Sequence, residues 1–315
     1  MNKESTTFFN YNSDNFSSSD FVLKKLVTRP LWFVSCFINN IFSGLIKDKK
    51  LKTLKFKYSK NDILKNKDLL PKSTPSRILC DLFWIKLDYQ KFLDGNGFLN
   101  IVDFGCGSCL YYERLKRYSN QKINYVGIDI YKNDSVSKYE DLDNFRFIKM
   151  SEFCQKSFIE VLNKYNIKLI ISQSVLEHIS NDLKTLNFIN KAVLFSKKQI
   201  TQFHMVPSAE SIFHYFMHGV RQYTPRTISN FTLSLPESFR RHVISIGGKH
   251  SSRYFTFYHF WFRFLLKFRI LNNSDIKVWL HDDKNRSYKL YKALEKDIID
   301  VSPKALFYCI QISIK

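Results

Sequence analysis

The stretch Ile101-Val102-Asp103-Phe104-Gly105-Cys106-Gly107-Ser108-Cys109-Leu110 joins an apolar run to two closely spaced glycines. The apolar run predicts a buried β-strand, and Tyr112, Leu115 and Tyr118 after the glycines predict a helix. Glycines at such a junction let the backbone approach a ligand closely, and the first helical turn offers unpaired N–H groups. The stretch therefore predicts a strand, a tight turn and a helix that bind a polar ligand.

A second predicted strand, residues 125–130, carries Asp129 near its end, 24 residues after Gly105. A carboxylate at that place can accept hydrogen bonds from both hydroxyls of a ribose. Strand, glycine turn, helix, strand and acid thus follow one another as in a nucleotide-binding unit. A nicotinamide dehydrogenase would need glycine at position 110 to complete G-x-G-x-x-G, and Leu110 stands there.

Further strand-length apolar runs alternate with helical ones. This alternation predicts an α/β fold with a parallel sheet and helices on both faces. About a hundred residues separate the fifth predicted strand from the last, far more than the usual connection, so we expect a cap on the substrate side. The predicted strands are residues 99–104, 125–130, 145–149, 168–172, 199–204 and 306–314.

These elements resemble the class I methyltransferases that depend on S-adenosylmethionine (SAM), in particular the type 11 group. Residues 102–107 stand in place of the family's V-L-D-x-G-C-G-x-G turn, and residues 169–179, LIISQSVLEHI, look like its fourth strand and V-L-E-H-I element. The match covers roughly residues 99–204. It implies a Rossmann-like, mostly parallel seven-stranded sheet, SAM as the cofactor, and methyl transfer.

The resemblance also implies roles for single residues. Asp129 would hold the ribose, Gly105 and Gly107 would line the methionine part of SAM, and Asp103 would help to order the turn. The sequence departs from the family at Cys109, which replaces the third glycine. It departs again after the third strand, where only Ser151 or Glu152 represents an acid. The other residues that we assign to the cofactor are Cys106, Ile130, Ser151, Glu152 and Gln173.

Candidate acceptor-side residues follow the later strands. His204 ends the predicted fifth strand, where open α/β sheets bind ligands, so it is our preferred catalytic base. His178 is the second catalytic candidate, although Glu177 and His178 also fit a role in capping the following helix. Residues 213–226 combine imidazole, aromatic and guanidinium groups, and arginines suit phosphate or carboxylate. The substrate candidates in this segment are His218, Arg221, Tyr223 and Arg226.

The composition favours an anionic partner. The chain has 49 Lys and Arg against 28 Asp and Glu, a formal charge of +21. Nucleic acid, anionic lipid and phosphorylated small molecules all fit this charge, and so does genomic base bias alone. The six cysteines include one C-x-x-C pair, Cys106 and Cys109, and a structural zinc would need two more ligands. We therefore expect no metal site and reduced thiols in a cytoplasmic protein.

The first hundred residues predict a basic, helical extension. Residues 1–20 lack the apolar core of a signal peptide and predict a disordered tail. Residues 31–46 have helical apolar spacing but are too polar to span a bilayer. Residues 47–72 hold ten lysines and three aspartates, which predicts either a solvated connector or a basic face. Residues 81–93 predict a further helix.

These segments divide the chain into five parts: a tail (1–20), a helical Lys-rich extension (21–98), the SAM-binding core (99–207), a substrate cap (208–305) and a final core strand (306–315). The aromatic and basic residues 254–270 of the cap suit either core packing or an interfacial helix. Together with residues 31–72, the interfacial alternative predicts peripheral contact with an anionic membrane, at its inner face.

The predicted function is methyl transfer from SAM to a small-molecule, glycan or lipid-linked acceptor, at oxygen. An RNA methyltransferase is the first alternative, because phosphate neutralisation dominates nucleic-acid binding. Enzymes that methylate exocyclic base amines resemble one another in an Asn/Asp-Pro-Pro-aromatic element, and this chain has Ser172-Gln173-Ser174-Val175 at that place. A non-catalytic SAM-binding module is the second alternative, since a fold does not guarantee chemistry.

Overall fold

A computed structural model describes residues 34, 37–38, 40–66, 68–69, 74–150, 154–179, 181–211, 222–257, 283–300 and 304–314. Within these ranges eight strands form one sheet: β1 (Lys52–Lys55), β2 (Phe98–Phe104), β3 (Lys122–Asp129), β4 (Phe145–Lys149), β5 (Leu169–Gln173), β6 (Thr201–Pro207), β7 (Phe239–Ile246) and β8 (Phe307–Ile314). Their order across the sheet is β1-β7-β8-β6-β5-β2-β3-β4. β8 runs antiparallel to both of its neighbours, and the other neighbouring pairs are parallel.

Helices cover both faces of the sheet, as the alternation of strands and helices predicted. Successive residues of a strand point to opposite faces, so Ile101 and Val102 belong to different apolar cores. The α-helices are α1 (Lys60–Lys65), α2 (Pro75–Ile85), α3 (Leu110–Ser119), α4 (Gln155–Lys164), α5 (Asp182–Ser196), α6 (Pro225–Thr232), α7 (Lys249–Phe255) and α8 (Asp283–Ile299). The first core includes residues of α2, α3, α7 and α8, and the second includes residues of α4, α5 and α6.

The sheet has one strand more than the seven that the sequence predicted. The additional strand, β1, comes from the predicted helical extension and pairs in parallel with β7, Lys52 opposite His242. β7 itself lies inside the range predicted as a cap. Its alternating polar and apolar residues were not recognised as a strand, because helical segments flank it. The extension and the cap range therefore each contribute a strand to the core sheet.

Two further predicted segments, residues 81–93 and residues 254–270, are compared with the structure. The predicted helix over residues 81–93 is replaced by α2, which starts earlier because Thr74 caps it and Pro75 occupies its first turn. Tyr254 and Phe255 are buried in the first core, as the core-packing alternative predicts, whereas Phe257 is exposed. Residues 258–270 lie outside the described residues, as does the predicted tail.

The helix predicted over residues 31–46 is present at the described positions 34, 37–38 and 40–41. The lysine-rich run over residues 47–72 is more than a connector, because it contains β1 and α1. Ser59 and Asp62 form a capping box at the start of α1. None of the described helices combines the length and the apolar character that crossing a membrane requires.

Candidate active site

The turn between β2 and α3 depends on glycine at two positions. Gly105 and Cys106 donate their N–H groups to the Ile128 carbonyl at 2.8 and 3.1 Å, which ties the turn to β3. Gly105 has φ +75° and Gly107 φ +53°, in the left-handed region. A Cβ on Gly105 would lie within 3.0 Å of three Val175 carbons, whereas one on Gly107 would meet nothing within 4 Å. Gly105 thus allows tight packing, and Gly107 leaves open space beside the turn.

Asp129 connects the end of β3 to this turn. Its Oδ2 accepts the Gly107 N–H at 2.7 Å, and its Oδ1 accepts the Ile130 N–H at 2.7 Å. A carboxylate oxygen has more than one acceptor position, so both oxygens can still accept a hydroxyl. These two hydrogen bonds fix the Asp129 carboxylate at the glycine turn.

A cavity of about 170 Å³ opens beside Gly105 and Asp129. Ile130 and Met150 also line it, which gives an apolar wall next to the carboxylate, and His178 is a further lining residue. An apolar wall, a fixed carboxylate and an open glycine turn match the base, the ribose and the amino-acid part of SAM. The described residues therefore fit this cofactor. Ser151 and Glu152, predicted for the adenine end, lie outside the described residues.

Asp103 and Cys106 lie beneath the turn and do not line the cavity. The Asp103 carboxylate accepts the Tyr125 hydroxyl, which links β2 to β3. Burial raises the pKa of Asp103 to about 7, although the Tyr125 hydrogen bond opposes this shift. The Cys106 and Cys109 sulfurs are 3.4 Å apart and buried, and both would contact a Cβ at Gly127. These residues support the turn from below.

Gln173, predicted as a cofactor residue, is held by a helix of the N-terminal extension. Its Oε1 accepts the Trp84 indole N–H at 3.1 Å, and it does not line the cavity. α2 is also fixed to α3, because the buried Asp81 carboxylate accepts the Tyr111 hydroxyl at 2.9 Å and pairs with Arg114 at 2.8 Å. Sequence reasoning missed α2 as a site element, since no local motif relates it to β5.

Glu177 and His178 occupy a short 3₁₀ turn after β5, Leu176–His178. His178 lines the cavity, which keeps it as an acceptor-side candidate. Glu177 is almost completely buried. Burial raises the pKa of Glu177 to about 8, although hydrogen bonds from its own backbone N–H and from the Ser174 hydroxyl, and the charge of Arg77, oppose this shift.

His204 does not suit the role of a base that contacts the acceptor. The predicted strand ended at His204, but β6 continues to Pro207 and leaves the imidazole completely buried within the sheet. Its Nδ1 lies 2.8 Å from Ser172 Oγ, and its Nε2 lies 3.2 Å from Gln202 Oε1. Burial lowers the pKa of His204 to about 3. We therefore reassign His204 to the core.

The two described substrate candidates have structural contacts. The buried Tyr223 hydroxyl donates to Asp182 Oδ2 at 2.8 Å, and the Tyr223 N–H donates to the Pro207 carbonyl at 3.0 Å, so Tyr223 joins β6 to α5. The Arg226 guanidinium lies over the Phe42 ring at 5.6 Å. Neither residue lines the cavity. His218 and Arg221 lie outside the described residues.

Comparison with known families assigns the part of the chain that carries this site. Residues 97–213 match the model of a family described as a methyltransferase domain. The chain contains a class I SAM-dependent methyltransferase domain. The matched range begins at β2 and ends just after β6, so this methyltransferase domain includes the glycine turn, Asp129 and His178.

A comparison of the methyltransferase with curated proteins found no match. Three similar solved structures are two plantazolicin methyltransferases and an N-methyltransferase of Haemonchus contortus. BamL, in complex with a triazolic desmethylPZN analog and SAH, is 14% identical with a TM-score of 0.34 over 68% of this chain and 76% of that one. BpumL, in complex with SAH, is 12% identical with a TM-score of 0.39, and the match covers 94% of this chain and 100% of that one. The Haemonchus contortus phospholethanolamine N-methyltransferase 2 is 13% identical with a TM-score of 0.43, and the match covers 82% of this chain and 58% of that one.

Proposed function

We propose that the methyltransferase domain transfers the methyl group of SAM to an oxygen of an anionic small-molecule, glycan or lipid-linked acceptor. The observation that carries this proposal is the Asp129 carboxylate, fixed by the N–H groups of Gly107 and Ile130 at the edge of the cavity. When bound, SAM supplies a methyl group on a sulfonium, whose carbon–sulfur bond breaks as the carbon–oxygen bond forms.

The residues of the chain contribute mainly by positioning, because this displacement needs the acceptor in line with the methyl group. Asp129 binds the ribose, Ile130 and Met150 contact the base, and the backbone at Gly105 and Gly107 accommodates the amino-acid part. Gly105, Asp129, Ile130 and Met150 all line the cavity, which supports this assignment of one end of the cofactor. The acceptor then has to approach from the side of the 3₁₀ turn.

His178 is the residue that we assign to the acceptor proton. It lines the same cavity as Asp129, and an imidazole can accept and donate a proton. A hydroxyl acceptor loses its proton as the new bond forms, and His178 accepts that proton as general base. An acceptor that is already an anion needs no base, and His178 then only orients it.

The charge of the chain supports an anionic acceptor. Basic residues exceed acidic ones by 21, and His218 and Arg221 in the segment after β6 remain predicted acceptor contacts. Lipid-linked, glycan and soluble phosphorylated acceptors share this chemistry. The experiment must therefore distinguish lipid-linked, glycan and soluble phosphorylated acceptors.

Binding and transfer are measured on the full chain. Calorimetry with SAM is expected to show binding that Asp129→Ala weakens and His178→Ala leaves unchanged. SAM with a labelled methyl group is then incubated with an extract of the source cells, which is fractionated into lipid, polar metabolite, RNA and protein. Label in the lipid or polar fraction supports the proposal. Label confined to RNA would establish the RNA alternative, and binding without any transfer would establish a non-catalytic module.

A further inference from the structure

An apolar helix face near the first strand is exposed to solvent. The described positions 34, 37–38 and 40–41 are helical, and their spacing places apolar side chains on one side. A contiguous exposed surface of this kind marks an interaction site more often than chance exposure does. Six side chains, each 45–65% exposed, form what we call the apolar face: Val34, Phe37, Ile38, Ile41, Phe42 and Leu45.

The chain that follows the apolar face is attached to the folded body. The Ser43 carbonyl accepts the Arg226 N–H at 3.2 Å, and the Lys47 N–H donates to Ser229 Oγ at 3.1 Å. Arg226 also lies over the Phe42 ring. Arg226 and Ser229, both in α6, thus hold one end of the apolar face against the folded protein.

The segment that follows the apolar face is strongly basic and runs along α6 to the amino end of β1. Residues 34–57 include six lysines and one acidic residue, Asp48, which is buried 3.2 Å from Arg241 and so carries no exposed charge. One of the lysines, Lys50, also contacts the exposed carboxylate of Glu237. A second copy of the chain would bring two basic surfaces together, which is unfavourable. The exposed lysines are Lys47, Lys49, Lys50, Lys52 and Lys57.

The start of α6, which contacts the end of the apolar face, lies at the same side of the sheet as the cavity. Arg226 is in the first turn of α6, three residues after Tyr223, which bonds to Asp182 at the start of α5. α5 starts just after the 3₁₀ turn that carries His178. Because Ser43 contacts Arg226, the apolar face is on the carboxyl side of β5 and β6, as the cavity is.

We propose that the apolar face docks in the plane of an anionic lipid bilayer, with the exposed lysines of residues 47–57 on the headgroups. Apolar side chains backed by lysines match the interfacial helices that bind anionic membranes. Each lysine near such a surface strengthens binding about fivefold. Docking itself does not depend on the reaction. That the bilayer then presents the acceptor to the cavity rests on the proposed function.

Flotation of the full chain with vesicles tests the docking. We expect the protein to float with vesicles of phosphatidylcholine and about 30% phosphatidylserine at about 0.1 M salt, and much less with pure phosphatidylcholine. Part of the binding should persist at about 0.5 M salt, where charges are screened within a few ångströms and apolar insertion remains. No flotation at the lower salt, or complete loss at the higher salt, would overturn the proposal.

Matched variants separate the apolar from the basic contribution. Phe37→Ser with Ile41→Ser should lower binding at least tenfold and abolish the salt-resistant part, whereas Phe195→Ser, an exposed residue at the end of α5, should bind as wild type. Charge reversal at Lys49, Lys50 and Lys52 should weaken binding more than reversal at Lys116, Lys122 and Lys191, which are exposed residues of α3, β3 and α5. Equal binding by the apolar double variant and wild type would refute the proposal.

Two further measurements on the same variants keep docking apart from folding and catalysis. Unchanged melting temperatures and SAM affinities establish that a binding loss comes from the surface and supports the proposal. Concentration-dependent self-association in sedimentation, lost in Phe37→Ser with Ile41→Ser, would instead assign the apolar face to a second copy. Docking with no methyl transfer would contradict the proposed function alone.

Discussion

The half of the sheet from β2 to β4, which we call the cofactor half, and the half from β5 to β1, which we call the acceptor half after the proposed function, are built in different ways. In the cofactor half, backbone groups position the main side chain, because Asp129 is held by the N–H groups of Gly107 and Ile130. In the acceptor half, side chains far apart in sequence meet, as when Trp84 bonds to Gln173 and Tyr223 bonds to Asp182. The stability of the cofactor half should therefore be sensitive to substitution of single glycines. The stability of the acceptor half should depend on how whole helices pack against the sheet.

The largest effect is expected from Gly105→Ala. The new methyl group would lie within 3.0 Å of Val175, and the residue would have to keep φ +75°. Left-handed strain and overpacking together should lower the free energy of unfolding by about 3 kcal/mol. Urea denaturation measures this change.

Gly107→Ala is the matched control for that experiment. It has φ +53° but no atom within 4 Å of its added Cβ, so only the strain of about 1–2 kcal/mol applies. Its methyl group would fill the open space beside Asp129, and SAM affinity should fall more than stability does. Equal stability losses in the two variants would mean that the contact with Val175 is unimportant.

The acceptor half is tested by comparing two histidines. His178→Ala should reduce kcat about 100-fold, a typical contribution of a general base, with little change in SAM affinity. His204→Ala should leave the kcat of the folded enzyme near wild type and reduce stability by about 1–3 kcal/mol, because Ser172 and Gln202 lose a buried partner. Steady-state kinetics and thermal melts measure both. The reverse pattern would return the catalytic role to His204.

Asp129 tests whether the cofactor half acts as one backbone unit. Asp129→Ala removes the acceptor for ribose and for two N–H groups, and should weaken SAM binding about 10-fold, within the 1–3 kcal/mol expected of such a loss. Asp129→Asn retains one carbonyl oxygen and should lose less. Calorimetry that finds undiminished SAM binding in Asp129→Ala would exclude the ribose assignment.

The same difference between the halves explains how much the sequence predicted. The α/β fold was predicted from the alternation of apolar runs, and the structure confirms it. Gly105, Gly107 and Asp129 come together as predicted, because the local spacing of strand and turn determines their positions. His204 was misplaced because the predicted strand ended three residues before β6 does, at Pro207. α2 was missed at the site because its contacts with Gln173 and Arg114 are tertiary and leave no periodic pattern.

The smallest effect is expected from Cys109→Gly, which restores the glycine of the type 11 turn. Cys109 begins α3 with φ +55°, so glycine would relieve about 1 kcal/mol of left-handed strain. It would also lose a fully buried side chain and make the unfolded chain more flexible, which costs about the same. We expect stability within about 1 kcal/mol of wild type and SAM affinity within about threefold.

Cys109→Val sharpens this prediction, because a β-branched residue tolerates the left-handed region poorly. Its stability should fall by at least about 2 kcal/mol in urea denaturation, since overpacking against Cys106 and Gly127 adds to the strain. A large loss in Cys109→Gly would mean that the buried thiol contributes more to the turn than its backbone strain costs. The cofactor half would then depend on side-chain packing beneath the turn as well as on its backbone.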